Sequence, residues 1–173
     1  AQITVAEGNT VFDSRDNCNA IIKKSNNKLI VGCKNTVVPN TVTSIGYYSF
    51  SGSHYLLSIE IPNSVTTIES GAFYYCSRLA TIEIPNSVVS MGYGVFRFCT
   101  SLESVTLGNS VKEIPAWAFE QTAIKNIEIP NSVKKIMPYA FQECCYLANI
   151  SWVNSLEIIG DNAFYGDTCL TEI

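Results

Sequence analysis

Ile61-Pro62-Asn63-Ser64-Val65 is the segment that decides how this 173-residue chain folds, because it recurs along the sequence. It returns unchanged at residues 84–88 and 129–133, and looser copies occupy residues 38–42, 107–111 and 152–156. The six copies begin at residues 38, 61, 84, 107, 129 and 152, which is a period of 23 residues with a single step of 22. A fixed period of roughly 20 to 29 residues predicts a solenoid, in which each repeat packs on the next.

Each repeat has the same predicted plan. A strand leads into the repeated segment, at residues 56–61, 79–84, 102–107, 124–129 and 147–152, and alternate residues such as Ile59 and Ile61 would point inward. Proline ends the strand because it cannot donate a ladder hydrogen bond, and Asn-Ser turns the chain. A second short extended piece follows, and the repeat closes with a small residue and a phenylalanine, as in Ala72-Phe73. Stacking would bury these apolar residues, which no repeat can bury alone.

This pattern predicts an α/β-type leucine-rich repeat solenoid that is right-handed and dominated by strands, with short helical turns on its convex side. We expect a single domain over residues 1–173. Residues 1–35 would form an expanded N-terminal unit with a β-hairpin, and residues 36–173 would form the regular repeats. The last repeat is truncated within the strand that begins at Leu170, so we expect further repeats outside this fragment.

The seven cysteines have two interpretations. In the N-terminal unit, a four-residue polar loop between residues 19–23 and 28–32 predicts a hairpin in which Cys18 faces Cys33. Cross-strand Cβ atoms lie within about 5.5 Å, so a disulfide between these two residues is sterically allowed. Cys76, Cys99 and Cys144 instead each follow a repeat phenylalanine by three residues. That regularity favours small buried residues stacked from repeat to repeat, since free cysteine is often fully buried.

Composition and motifs exclude several classes of function. A net charge of −4 argues against nucleic-acid binding, and no apolar run is long enough to span a membrane. The start of the chain lacks signal-peptide features, so an exported protein would be present here in a mature or excised form. The only histidine, His54, has no repeated acid or nucleophile beside it, and the cysteines lack zinc-site spacing. The sequence therefore predicts a non-enzymatic protein without a cofactor or a bound metal.

The outward positions of the long strands are the candidate ligand-binding site. Alternation places these ten polar residues on one concave face: Ser58, Glu60, Thr81, Glu83, Ser104, Thr106, Asn126, Glu128, Asn149 and Ser151, with Glu172 extending one row. One interpretation is an acidic strip that binds a basic or polyhydroxylated partner. The alternative is a solvated polar face that serves only solubility. Calcium bridging of Glu60 and Glu83 is a further option, because clustered carboxylates suit hard cations.

Aromatic residues cluster around the turns that contain the repeat phenylalanines. They are Tyr47, Tyr48, Tyr74, Tyr75, Tyr93, Trp117 and Tyr139. Packing on the convex side explains such a cluster, and a glycan-stacking or protein-binding patch is the alternative, because exposed tyrosine and tryptophan mark recognition surfaces.

The repeat unit Leu-x-x-Ile-x-Ile-Pro-Asn-Ser-Val-x-x-Ile-x-x-x-Ala-Phe-x-x-Cys resembles the BspA-like leucine-rich repeats of bacterial surface antigens. Residues 13–22 and 32–36 also resemble a segment that is common in such proteins from gut Bacteroidetes. Gly108 and Val153 depart from the pattern at the proline position, as do Thr122 and Asp167 at the cysteine position. These departures affect local turns only.

The resemblance implies a cell-surface or extracellular adhesin-type protein. Its partners would be host matrix proteins, glycans or other ligands on host or neighbouring cells. Two alternatives stay open: the repeats could be a rigid stalk that presents another domain, or they could be a glycan-capture module that serves nutrient uptake.

Overall fold

The computed structural model describes residues 2–170, which form short strands joined by tight turns. The strands are β1 (Phe12–Asp13), β2 (Ile21–Lys23), β3 (Lys28–Val31), β4 (Ser44–Ile45), β5 (Thr67–Ile68), β6 (Thr81–Glu83), β7 (Ser90–Met91), β8 (Ser104–Thr106), β9 (Glu113–Ile114), β10 (Asn126–Glu128), β11 (Lys135–Ile136), β12 (Asn149–Ser151) and β13 (Ile158–Ile159). A single turn of 3-10 helix covers Arg15–Asn17. The predicted continuation of the strand beyond Leu170, with Glu172, lies outside the described residues.

Equivalent strands of successive repeats pair in parallel, as the in-phase sequence pattern predicts. The long strands form the pairs β6–β8 and β10–β12, with Thr81 opposite Ser104 and Asn126 opposite Asn149. The second extended pieces form another set of parallel strands, from β3 through β4 and β5 to β7, and then β9, β11 and β13. Most strands therefore pair with their counterpart in the neighbouring repeat, as in a β-solenoid, but within the described residues β8 does not pair with β10, nor β7 with β9.

The N-terminal unit attaches to this second set of strands. β1, β2 and β3 pair antiparallel, and β3 then pairs in parallel with β4 of the first regular repeat. Lys23 lies opposite Lys28 across the hairpin loop, and Ile22 lies opposite Leu29. The hairpin thereby covers the edge of β4, which would otherwise present unpaired backbone groups.

The structure does not join Cys18 to Cys33, and all seven cysteines are free thiols. The pairing shifts between Ile21 and Ile22, so Ile21 lies opposite Val31 and the uniform register that would align the two cysteines is lost. Each thiol instead lies near a backbone carbonyl of the same unit. The Sγ of Cys18 is 3.7 Å from the oxygen of Ala20, and the Sγ of Cys33 is 3.6 Å from the oxygen of Asn19.

The turns around the repeat phenylalanines are not helical, in contrast to the predicted helical turns. Alternate N–H groups point in different directions: the N–H of Phe73 donates to the oxygen of Val95 in the next repeat (2.9 Å), whereas the N–H of Tyr74 donates to Gly71 in its own turn (2.8 Å). In an α-helix, by contrast, successive N–H groups all bond to the carbonyl four residues earlier in the same segment. The residues two before and two after each phenylalanine have positive φ, which breaks a helix at each of these positions.

The core is a set of side-chain ladders that run through the stacked repeats. The rings of Phe50, Phe73, Phe96, Phe119, Phe141 and Phe164 are stacked with centroids 5.2 to 5.6 Å apart. Beside them the predicted column of buried thiols is present: Cys76 and Cys99 donate to the carbonyls of Phe50 and Phe73, each at 3.1 Å. The same carbonyl oxygens also accept backbone N–H groups, from Ser53 and Cys76, so each thiol is a second donor to a buried acceptor.

Candidate functional site

Strand alternation positions the polar residues of the long strands on one surface, here named the strand face. In β6, the buried side chain of Ile82 separates the exposed side chains of Thr81 and Glu83. The same exposed–buried–exposed pattern recurs in β8 and β10. All ten predicted residues are exposed: Ser58, Glu60, Thr81, Glu83, Ser104, Thr106, Asn126, Glu128, Asn149 and Ser151.

Strand pairing brings eight of these residues together in neighbouring rows. Thr81 lies opposite Ser104 and Glu83 opposite Thr106, and the pair β10–β12 aligns Asn126 with Asn149 and Glu128 with Ser151. The side chain of Asn149 donates to Oδ1 of Asn126 at 2.6 Å. The predicted strand at residues 56–61 is absent, so Ser58 and Glu60 lie in an extended segment without ladder pairing.

Interruptions in strand pairing leave shallow grooves across the strand face. One groove of about 410 Å³ is lined by Ser58 and Glu60 on one side and by Thr81 and Glu83 on the other. A second, of about 450 Å³, separates β8 from β10 and is lined by Thr106 and Glu128 among others. It coincides with the 22-residue step, where the turn at residues 120–123 is one residue shorter than in neighbouring repeats.

The strand face carries carboxylates without cationic partners. Within residues 2–170, Glu60, Glu83 and Glu128 take part in none of the ion pairs. The nearest ion pair in sequence joins Lys125 to Glu103 at 2.7 Å, one position before β10 and β8. Because these glutamates line the two grooves, the grooves present an acidic surface.

Few side chains of the strand face could ligate a metal ion. Across the described residues, no group of three or more His, Cys, Asp or Glu side chains surrounds a common point. Calcium bridging would therefore depend on Glu60 and Glu83 alone, whereas Ca²⁺ takes about six to eight oxygen ligands. Water and ligand oxygens would have to supply the rest.

One apolar residue of the strand face was missed by the sequence reasoning. Val37 has a relative exposure of 71%, and it lines a further groove together with Ser58 and Glu60. It precedes the looser copy of the repeated segment at residues 38–42, and so occupies the position that Glu60 occupies one repeat later. Aligning the looser copy with the others would have identified it.

The only histidine lies away from the strand face. His54 is exposed, and its Nδ1 lies 3.2 Å from the hydroxyl of Ser77 while its ring contacts the edge of Tyr75. In the described part of the chain, no helix is long and apolar enough to cross a membrane.

The parallel in-register strands and the stacked phenylalanines define the class of the protein as a leucine-rich-repeat solenoid. The chain belongs to the BspA type leucine rich repeat family, whose repeat region matches residues 21–147 and 134–173 in six copies. No curated protein matches the chain.

Solved structures of bacterial leucine-rich repeat proteins are similar to this chain. A leucine-rich repeat protein from Eubacterium ventriosum has a TM-score of 0.80 and 26% identity, over 99% of this chain and 54% of its own. A leucine rich cell surface protein from Faecalibacterium prausnitzii has a TM-score of 0.69 and 27% identity, over 98% of this chain and 40% of its own. The T. pallidum leucine rich repeat protein, at 23% identity and a TM-score of 0.71, shares the fold over 87% of this chain and 86% of its own. The chain thus spans about half the length or less of the first two.

Proposed function

We propose that residues 1–173 act as a single, non-enzymatic binding domain of a surface-displayed or secreted protein. Its ligand would be a protein on host or neighbouring cells, bound through the strand face. The observation that carries this proposal is the row of unpaired carboxylates, Glu60, Glu83 and Glu128, beside open grooves. Membership of the BspA-type family and similarity to a protein described as a cell surface protein support it.

A basic segment is the partner that this charge pattern suits. Glu60 and Glu83 lie on neighbouring repeats and line the same groove from its two sides. Like charges on adjacent rows repel, so the free protein bears a cost that a lysine or arginine placed between the two carboxylates would remove. Binding to such a partner should therefore be fast and sensitive to salt.

The test is binding of this chain to immobilised extracellular-matrix proteins, at low and moderate ionic strength, compared with the variant Glu60→Lys/Glu83→Lys/Glu128→Lys. We expect wild-type binding to weaken with salt and the variant to lose it by at least tenfold. The matched control is Glu7→Lys/Glu113→Lys/Asp161→Lys, which makes the same charge change at exposed residues away from the strand face. Equal losses of binding in both variants would show that net charge alone is responsible and would overturn the assignment of the site.

The same experiment separates the two alternative functions. If the repeats are only a stalk that presents another domain, the longer protein that contains them should bind equally well with and without the triple reversal on the strand face. A glycan-capture module should bind carbohydrates instead of matrix proteins, and a glycan panel in the same assay would show this.

A further inference from the structure

A small aromatic cavity interrupts the turn side of the solenoid, apart from the strand face. The turn position two residues before each repeat phenylalanine has positive φ in every described repeat. Its occupants in chain order are Tyr48, Gly71, Gly94, Trp117, Tyr139 and Asn162. The second and third of these six repeats thus have glycine where Tyr48 and Trp117 stand on either side, and a cavity of about 210 Å³ opens there. We name it the aromatic notch.

The two glycines have different roles in the aromatic notch. The ring of Tyr48 lies over Gly71, so a Cβ at Gly71 would overlap that ring. Above Gly94 there is space, because a Cβ added there would have the Cβ of Arg97 as its nearest neighbour at 3.5 Å, an ordinary contact distance. Gly94 therefore forms an open floor between Tyr48 and Trp117, both of which line the cavity.

The aromatic walls are held in place by neighbouring rings. The indole of Trp117 is stacked on Tyr139 with an interplanar angle of 1° and centroids 5.6 Å apart. Tyr74 contacts the ring of Tyr48 edge-on at 5.9 Å. Tyr48, Tyr93 and Trp117 nevertheless remain 59%, 60% and 37% exposed. Rings that are exposed but already oriented bind a ligand at low entropic cost.

The polar groups of the notch favour an uncharged ligand. Arg97 lines the cavity, but its Nε lies 2.7 Å from Oε2 of Glu120 and its Nη2 donates to Oε1 at 3.0 Å. The guanidinium is thereby neutralised by a buried carboxylate, which disfavours a phosphate or an acidic sugar. The other polar side-chain groups of the lining are the hydroxyls of Tyr48, Tyr74 and Tyr93, which can both donate and accept hydrogen bonds, and the indole N–H of Trp117, which can only donate.

We propose that the aromatic notch binds a single uncharged hexose unit of a glycan, with the sugar ring between Tyr48 and Trp117 above Gly94. A pyranose presents an apolar C–H face to an aromatic ring and hydroxyls to the tyrosines. Drug-sized ligands occupy pockets of about 300 to 1,000 Å³, so a cavity of about 210 Å³ suits one ring. A proline-rich peptide is the competing aromatic-groove ligand. Its carbonyls only accept hydrogen bonds, whereas sugar hydroxyls both donate to and accept from the tyrosine hydroxyls.

The test measures saturation transfer by NMR from this chain to methyl glucoside, methyl mannoside, methyl galactoside and N-acetylglucosamine. We expect at least one of these neutral sugars to bind, with millimolar affinity. The blocking variant is Gly94→Tyr, which fills the floor; we expect it to lower the affinity at least tenfold. It should keep the fold, because Tyr48 and Tyr139 adopt the same backbone conformation, with φ of 50° and 62°.

Three controls make the outcome decisive. Tyr146→Ala removes an equally exposed tyrosine outside the notch and should leave sugar binding unchanged. Tyr93→Ser opens one wall and replaces Gly94→Tyr as the test if thermal melting shows that the latter does not fold. The triple reversal on the strand face should also leave sugar binding unchanged, so this proposal and the one above can fail separately.

The proposal is overturned if none of the four sugars binds or if Gly94→Tyr leaves their affinity unchanged. It is equally overturned if only sialic acid or a heparin fragment binds, because the site would then select for charge. Binding of a Pro-x-x-Pro peptide that Gly94→Tyr abolishes, without sugar binding, would assign the notch to peptides.

Discussion

Asp167 occupies the turn position that holds a thiol in three earlier repeats and Thr122 in another. Its side chain is buried, with a relative exposure of 8%, and Oδ1 accepts a hydrogen bond from the N–H of Cys144 at 2.7 Å. Oδ2 has no hydrogen-bond partner within residues 2–170. Burial raises the pKa of Asp167 to about 7, and the hydrogen bond from Cys144 offsets only part of this effect.

The raised pKa of Asp167 should make the protein more stable in mild acid. Because the folded-state pKa is above the unfolded value of about 3.9, the folded protein binds the proton more tightly. The resulting stabilisation is complete below about pH 4, declines as pH rises, and is lost above about pH 7. We expect the free energy of unfolding in urea to fall by on the order of 2 kcal/mol from pH 5 to pH 8 because of this residue.

Asp167→Asn is the matched control for that experiment. The amide oxygen can still accept the hydrogen bond from Cys144, but the side chain no longer titrates. The difference in unfolding free energy between the two pH values should therefore shrink by the same amount. A variant that retains the full pH dependence of the wild type would show that another group is responsible.

The cysteines should react with a thiol reagent in two distinct classes. Cys145 and Cys169 are exposed and Cys33 is half-buried, whereas the other four are buried: Cys18, Cys76, Cys99 and Cys144. Burial also raises the pKa of the Cys99 thiol and brings that of Cys144 to about 12, which suppresses the reactive thiolate. We expect Ellman's reagent at pH 8 to label two thiols fast in the native protein. Seven should react after unfolding without reductant, and a total of five would instead reveal a disulfide.

The turn around each repeat phenylalanine forms a regular structure of its own. Alternate N–H groups bond to the next repeat and to their own turn, so the turn forms a third backbone ladder beside the two sets of strands. This arrangement requires positive φ at non-glycine residues such as Tyr75 and Gln121, which costs roughly 1 kcal/mol each. The bonds to the next repeat, such as that from Tyr75 to Arg97, offset the cost.

The stability lost when a repeat phenylalanine is truncated should depend strongly on its position in the ladder. Phe96 is fully buried between Phe73 and Phe119, so Phe96→Ala should destabilise the protein by about 3 to 5 kcal/mol. Phe164 is only half-buried and stacks on Phe141 alone among the repeat phenylalanines of the described residues. Phe164→Ala should therefore cost less than half as much. Denaturant unfolding measures both values, and equal costs would refute the idea that stacking on two sides decides the contribution.

The repeat phase, the inward ladders and the buried thiol column could be predicted from sequence because a 23-residue period fixes which residues stack. The turn conformation could not, since nothing in the identity of Tyr75 or Gln121 indicates positive φ. The equivalent glycines, Gly52 and Gly166, were the available signal. The bulge at Ile21 was equally hidden, because the residue types of the hairpin are compatible with an unshifted register as well.

The exposed rows of the strand face could be predicted directly from the sequence, because polar and apolar residues alternate in strands such as β6 and β8. The grooves could not be predicted, because residues 56–61 carry the same strand pattern as their paired counterparts and yet form no strand. The aromatic notch was visible in sequence only as a cluster of tyrosines. That Gly94 forms the floor of a cavity is apparent only when the turns of neighbouring repeats are stacked on one another.

The strand face and the aromatic notch share no residue and lie on different sides of the repeat. One uses charge and the other uses aromatic rings, so ionic strength should affect protein binding and leave sugar binding unchanged. A chain with both sites would hold a glycan weakly through one face while a protein partner binds the other. Many weak contacts made together can raise the overall affinity 10²- to 10⁴-fold.

The three backbone ladders also determine how the molecule responds to mechanical load. Their hydrogen bonds run from each repeat to the next, along the axis of the solenoid. A pull on its two ends would therefore stretch these bonds directly and open the stack one repeat at a time. Each repeat of 23 residues would release roughly 80 Å of extended chain. The solenoid would thus lengthen in small steps before it comes apart completely.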